Sequence, residues 1–181
     1  GAPDVLLAYQ PVGPNVSRYI ALQQKFPNTR FSCLVDDAQT AINLAAAGKK
    51  KGYIVRVYID INVGMNRTGI SPEELIALYG TLNGRKGLDL MGLHAYDGHI
   101  HESDLSIRQE LAAKIIQILK DLSMQIQERF KQQVLIIAGG TPTFPVYSHH
   151  TDFECSPGTF VLWGKGYQDA FAEQAFLPAA V

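Results

Sequence analysis

Four stretches of this 181-residue chain concentrate the residue types that do chemistry: Asn62-Val-Gly64-Met65-Asn66-Arg67-Thr-Gly69, His94-Ala-Tyr96-Asp97-Gly98-His99-Ile-His101, Gly139-Gly140-Thr141-Pro142-Thr143 and Ser156-Pro157-Gly158-Thr159. Adjacent glycines let a backbone come close to an anion with its N–H groups turned toward it, and the Thr141 and Thr143 hydroxyls add donors. Ser156 to Thr159 offers a second donor turn, and the two together suit a compact phosphate dianion. The competing reading is two ordinary glycine turns punctuated by proline. Neither stretch is a Walker loop, since the Gly-Lys-Ser/Thr ending is missing, and neither is G-x-G-x-x-G.

Arg67 lies on a glycine-flanked loop, where a permanent, planar cation suits a carboxylate or phenolate oxygen; an exposed loop arginine is the plainer alternative. The three histidines between His94 and His101 invite a metal reading, with His99 and His101 as paired ligands in the manner of metal-dependent barrel hydrolases. Such a site needs further ligands. The remaining histidines, His149 and His150, are adjacent, so on a strand their side chains diverge. Tyr96 offers an aromatic face and His101 a proton carrier near neutral pH. His94, still inside an apolar strand, reads as structural.

The elements that must position these residues alternate in type. Apolar runs predict strands over Val5–Ala8, Arg30–Val35, Ile54–Ile61, Leu88–His94, Val134–Ala138 and Phe153–Cys155, with a further apolar stretch at Thr159–Trp163. Helix starts are marked by Asp36 with Gln39 three residues on, and by Ser71-Pro72-Glu73-Glu74, which combines a cap, a first-turn proline and a capping-box glutamate. A helix from Leu105 to Phe130 puts Leu111, Ile115, Ile118, Leu122, Ile126 and Phe130 on one face. Strand–helix alternation implies a parallel α/β sheet covered by helices, either doubly wound or closed as a (β/α) barrel. Each chemistry-bearing stretch follows a strand at its C-terminal end, where both architectures place their sites.

Composition narrows the partners. The net charge is −1, charged residues make up 18%, and the densest basic run, Lys49-Lys50-Lys51, reads as a solvated turn. These features give no basis for a nucleic-acid partner. No apolar run approaches the roughly 20 residues of a membrane span. Cys33 and Cys155 read as buried free thiols of a reducing compartment, which predicts a cytoplasmic protein. A hydrophobic content of 46% supports one domain core over residues 1–181.

Gly64-Met65-Asn66-Arg67-Thr68-Gly69, Gly92-Leu-His-Ala-Tyr96-Asp-Gly-His99, Ala138-Gly-Gly-Thr-Pro-Thr143 and Glu154-Cys-Ser-Pro-Gly-Thr159, in that order and spacing, resemble the D-threonine aldolase and D-serine dehydratase family. This family is a branch of the alanine-racemase-like pyridoxal-phosphate barrels, and the similarity runs from about Asp4 to the final Phe176-Leu-Pro-Ala-Ala-Val181. The resemblance implies a barrel of the alanine racemase N-terminal type, pyridoxal 5'-phosphate as cofactor and a small D-amino acid as substrate. It implies that Gly139, Gly140, Thr141, Gly158 and Thr159 hold the phosphate, and that Tyr96 stacks on the pyridine ring where alanine racemases carry a histidine. Arg67 would donate to the phenolic oxygen, His101 would handle the proton of the substrate β-hydroxyl, and Gln10 would contact the cofactor. Retro-aldol cleavage of D-threonine-like substrates to glycine and an aldehyde is the expected reaction. D-serine dehydration and racemisation are the alternatives within the superfamily; a metal-dependent hydrolase and a non-catalytic cofactor carrier lie further off.

Two departures bear on that choice. Alanine racemases place an arginine before Pro-Gly, touching the pyridine nitrogen, and Ser156 stands there in this chain. An arginine keeps that nitrogen unprotonated; serine removes the restraint, which suits chemistry needing a stronger electron sink. Asn62 stands where related sequences often have aspartate. The family's cofactor-carrying lysine lies at the end of the first barrel strand, and none of the nine lysines, from Lys25 to Lys165, stands in that context. A complete barrel takes about 250 residues. The expectation is therefore an incomplete barrel of about the last six βα units. The branch's divalent-metal ligands would lie in an absent C-terminal β domain. Unpaired edge strands predict association with further copies or with the missing parts.

Overall fold

The computed structural model describes residues 1–178; residues 179–181, which end the Phe176–Val181 block, lie outside the described residues. Six strands follow chain order through the sheet: β1 (Asp4–Leu7), β2 (Arg30–Val35), β3 (Val55–Asp60), β4 (Leu88–Ala95), β5 (Leu135–Ala138) and β6 (Glu154–Cys155). The β1–β2, β2–β3, β3–β4 and β5–β6 pairs are parallel. That order decides between the two expected architectures. A doubly wound sheet reverses its strand order at a switch point, whereas strands laid down in unbroken chain order are the winding of a (β/α) barrel. Thr159–Leu162 is a 3-10 helix and not a seventh strand.

The chain divides into two compact units: residues 1–61 with 67–94, and residues 62–66 with everything from Ala95 onward. In the first, helices α1 (Pro14–Lys25), α2 (Ala38–Lys50) and α3 (Leu75–Leu82) accompany β1 to β4, and α2 packs on β2 and β3. The core holds Val35, Leu44, Val57, Ile59, Tyr79 and Leu93, all fully buried. Gly48 fixes how near α2 comes to the sheet. A Cβ there would lie 2.7 Å from a Val55 methyl and 2.9 Å from the Tyr53 carbonyl oxygen, so the helix interior accepts glycine in spite of its poor helix propensity.

Start signals behave as capping chemistry requires, with one shift. Asp37, not Asp36, caps α2: its Oδ1 accepts from the Thr40 N–H at 2.7 Å and the Thr40 hydroxyl at 2.8 Å. These bonds hold its carboxyl below the usual range. Asp36 is spent elsewhere, accepting from Gln10 and from the Gly69 N–H. At Pro72–Glu74 the Ser71 N–H donates to the Glu74 carboxylate at 3.0 Å, as the capping box predicts.

In the second unit, α4 (Leu105–Phe130) has the expected bounds but a stripe set slightly round from the expected one. Ala112, Ile115, Ile116, Leu119, Leu122 and Ile126 are buried, whereas Ile118 is 38% exposed and Leu111 only half-buried. The stripe advances by three and four residues from Ala112, a small residue that lets the helix approach closely, and not from the bulkier Leu111. Its core partners are Ala95, Ile136, Ala138, Tyr147 and Phe153. Helix α5 (Phe144–Tyr147) follows β5, and α6 (Lys165–Ala170) lies near the end. His149 and His150 leave α5 in a turn, not on a strand, and His150 packs edge-on to Phe153 at 5.9 Å. Both cysteines are free; Cys33 is buried, and Cys155, expected to be, is only half-buried.

Candidate functional site

The Gly139–Thr143 turn leaves β5 into the interior, with Gly139, Gly140, Thr141 and Thr143 all buried. Gly139 has φ +86°, and a Cβ there would lie 2.7 Å from the Tyr147 ring, so both conformation and space require glycine. A buried turn must pair its own polar groups. The Gly139 N–H donates to the Ala95 carbonyl at 3.0 Å, and the Gly140 N–H donates to Thr143 Oγ1 at 3.0 Å. The two amides expected to face an anion are therefore committed internally. The Thr143 hydroxyl, expected as an anion donor, instead donates to Asp97 Oδ1 at 2.9 Å.

The second turn lies against the first. Ser156 Oγ donates to the Gly139 carbonyl at 3.1 Å, and the Thr159 N–H donates to Thr141 Oγ1 at 3.1 Å. Thr141 still has its own hydroxyl proton to give. A Cβ on Gly158 would meet nothing within 4 Å, and Thr159 is exposed. The Thr159 amide is thereby engaged, which leaves as donors the Thr141 and Thr159 hydroxyls and the Thr141 and Gly158 amides. That set suits a phosphate group, and a side chain at Gly158 would begin to fill the space beside it.

Tyr96 joins this group. Its ring folds over Gly98, whose added Cβ would lie 2.3 Å from ring carbons, and its Cε2 would be 3.1 Å from a Cβ on Gly140. The Tyr96 ring therefore borders the glycine turn. Asp97 beside it is buried, and its carboxyl lies close enough to the buried Tyr147 hydroxyl for the two to act on each other's ionisation. Burial pushes the Asp97 carboxyl upward against the lowering effect of Thr143 and its other neighbours. Burial, and after it the nearby Asp97 charge, pushes the Tyr147 phenol upward.

His101 is exposed, and its backbone N–H donates to the Glu102 carboxylate at 3.0 Å. His99 is exposed and packs on Gly64, where a Cβ would lie 2.6 Å from its Nε2. Among the described residues, no group of three or more His, Cys, Asp and Glu could hold a metal ion. Asn62 ties its turn with its side chain: Oδ1 accepts from the Gly64 and Asn66 N–H groups, and Nδ2 donates to Asn66 Oδ1. An aspartate could accept but could not donate in this way.

In the first unit, Arg67 is exposed on the loop after β3. Gln10 has both ends of its amide on Asp36, donating to Oδ1 at 2.7 Å and accepting from the Asp36 N–H at 2.9 Å. It lines a cavity of about 20 Å³ with Asp36, Asp60 and Thr68, room for about one water. His94 is buried with its Nδ1 2.7 Å from Asp60 Oδ1, a packing role in keeping with its place inside the strand.

Sequence reasoning gave no role to Asp60, to Asp97, to Thr143 as an internal acceptor, or to the pair Arg108 and Gln174. Arg108 Nη1 donates to the Pro142 carbonyl at 2.7 Å, and Gln174 Nε2 donates to the Thr141 carbonyl at 3.0 Å. The one available signal for Arg108 was its place on the buried stripe, four residues before Ala112.

Asp97 yields a pH prediction. Its folded-state pKa lies above the ordinary value of about 3.9, so the stability tied to its protonated form is complete below that pH. That stability is lost as pH rises through the folded value. Asp97→Asn keeps the acceptor for Thr143 and removes the titration. Relative to the parent chain, the variant gains more stability at pH 7 than at pH 4 in urea unfolding; a difference that stays constant or shrinks would sink this account.

Residues 18–163 match the family model of the alanine racemase N-terminal domain. D-threonine aldolase of Arthrobacter sp. is 26% identical over 143 residues, 78% of this chain and 37% of that protein. 3-Hydroxy-D-aspartate aldolase of Paracoccus denitrificans is 24% identical over 167 residues, 89% of this chain and 43% of its own length. Among solved structures, D-threonine aldolase from Filomicrobium marinum superposes with a TM-score of 0.79 at 24% identity, over 97% of this chain and 48% of that one. Alanine racemase from Clostridium difficile 630 superposes with a TM-score of 0.68 at 18% identity. The chain spans less than half the length of the curated relatives it matches. A match over that much of the sequence, on a parallel sheet wound in chain order, makes this chain a member of the alanine racemase N-terminal domain family.

Proposed function

We propose that this chain is the phosphate-cradling part of a pyridoxal-phosphate enzyme acting on D-3-hydroxy amino acids, with retro-aldol cleavage as its reaction. The observation that carries the reading is the apposition of two donor turns through Thr159 to Thr141 and Ser156 to Gly139, with Tyr96 alongside. Both curated relatives are named as aldolases, one of D-threonine and one of 3-hydroxy-D-aspartate, which favours cleavage over dehydration or racemisation. Ser156, in the place of a racemase arginine, favours it on chemical grounds as well.

When bound, the cofactor supplies an electron sink that stabilises negative charge at the substrate Cα. Thr141, Gly158 and Thr159 would hold its phosphate and Tyr96 would cover one face of its ring; the resemblance gives Arg67 the phenolic oxygen. His101 would take the β-hydroxyl proton: the O–H pair becomes the second C–O bond of the aldehyde, the Cα–Cβ bond breaks with its pair left on Cα, and a proton returned to Cα completes glycine. Gln10 has a lesser part in this reading, since its amide is already engaged by Asp36. A divalent metal, whose ligands the resemblance puts in a C-terminal β domain, belongs to the same proposal for the whole protein.

The direct test is to add pyridoxal phosphate, reduce with borohydride and weigh the intact protein. Phosphate-dependent binding without a covalent adduct fits a cradle whose lysine is not among these residues. A stoichiometric adduct on one lysine would overturn that, and no binding at all would remove the cofactor from the account. In a protein carrying this chain together with the lysine, His101→Asn lowers kcat for D-threonine by about 10²-fold; an unchanged rate would take His101 out of the chemistry.

The chain also associates on this reading, with copies of itself or with further parts of the barrel. Ile54, Val161, Leu162 and Leu177 are each more than 60% exposed, and β1 pairs on one side only. Sedimentation velocity should give species larger than 20 kDa; a clean monomer at micromolar concentration would contradict it.

A further inference from the structure

Arg108 is 0% exposed and sits in the first turn of α4, where the helix dipole disfavours a cation. Its guanidinium lies 4.7 Å from the centre of the Phe171 ring, donates from Nη1 to the Pro142 carbonyl at 2.7 Å and pairs through Nη2 with Glu173. Its Nε makes no hydrogen bond. Gln174, also buried, donates to the Thr141 carbonyl at 3.0 Å. Arg108 is buried while the Glu173 side chain stays partly exposed, and a pair of this kind is a weak source of stability, because an apolar side chain in the place of the buried arginine commonly does as well. What the arrangement does accomplish is geometric.

A turn that receives a phosphate must keep its carbonyl oxygens off the anion and its donors toward it. Here two consecutive carbonyls, Thr141 and Pro142, are each held by a buried donor reaching from the segment Arg108 and Phe171–Gln174. In a trans peptide the N–H points opposite to the C=O. Fixing the Pro142 oxygen on Arg108 therefore turns the Thr143 N–H the other way and, by drawing charge onto the oxygen, strengthens it as a donor. Fixing the Thr141 oxygen on Gln174 sets the backbone that carries the Thr141 hydroxyl.

We infer that Arg108 and Gln174, with Glu173 as counter-ion, are positioning residues that preorganise the Thr141–Thr143 turn for a phosphate group. The inference rests on the cradle reading above and adds to it the residues that hold the cradle in shape. They act through the backbone and touch no ligand.

Equilibrium dialysis of the 181-residue chain with pyridoxal phosphate and, separately, with pyridoxal tests it. Arg108→Met and Gln174→Met each lose about 10-fold in affinity for pyridoxal phosphate while binding pyridoxal as the parent chain does. A side chain that only stabilised the fold would weaken both ligands alike or neither. If the variants keep the parent's affinity for pyridoxal phosphate, or lose pyridoxal equally, the positioning role is overturned and the cradle stands. If the parent chain itself binds the two ligands equally, the cradle reading fails first, and the inference with it. Circular dichroism checks that each variant is folded; should Arg108→Met unfold, Gln174→Met, which removes an uncharged amide, decides the matter by the same split.

Discussion

The Gly139–Thr143 turn is buried, and a buried turn has to find partners for every amide and carbonyl or lose several kcal/mol in desolvation. Much of the second unit is arranged around that requirement. Ala95 at the end of β4 takes the Gly139 N–H, Thr143 takes the Gly140 N–H, and Asp97 holds Thr143 by its hydroxyl. On the opposite edge Ser156, Thr159, Arg108 and Gln174 fasten the oxygen atoms. Because the turn's own groups satisfy one another, the donors that remain outward are few and fixed in direction. Fixed donors that need no reorganisation are what an anion site requires.

The same constraint explains why glycine recurs where it does. Tyr147 packs so close to Gly139, and Tyr96 so close to Gly98, that a methyl group at either place would sit inside the ring. The aromatic rings are thereby pressed onto backbone, and backbone is the only surface flat enough to let a ring border the turn. Tyr147 is fully buried in the α4 core with Ile115, Ile136 and Phe153, so the shape of the turn is tied to the packing of the unit's longest helix.

Elements were legible in the sequence where burial follows a period. Helix α4 could be bounded from its apolar spacing and Arg30–Val35 from a run of strand formers, because tertiary packing reinforced what the pattern already implied. Small rotations were not legible: choosing between Leu111 and Ala112 as the start of the buried stripe depends on how close the sheet lies. The cap at α2 shows a similar limit. Asp36 and Asp37 are equally good capping residues on paper, and the choice is made by Gln10 and Gly69, which claim Asp36 from 26 and 33 residues away. The ends of the strands were readable as chemistry because glycine, threonine and histidine have little other reason to collect there.

Within the candidate site, residue type located the turns but did not assign the direction of their donors. Adjacent glycines suggest amides turned to an anion, and both amides turn inward, since the neighbouring Ala95 carbonyl and Thr143 hydroxyl are within reach. Arg108 was hidden for the opposite reason. A single arginine early in a polar helix reads as surface, and only the three-dimensional fold brings Glu173, 65 residues on, to neutralise it. A cation buried against its own helix dipole, unable to complete its Nε bond, would be replaced at little cost by an apolar residue if packing were its only task. Its placement is better accounted for by the carbonyl it holds than by the stability it adds, and the same holds for the Gln174 amide on the preceding carbonyl.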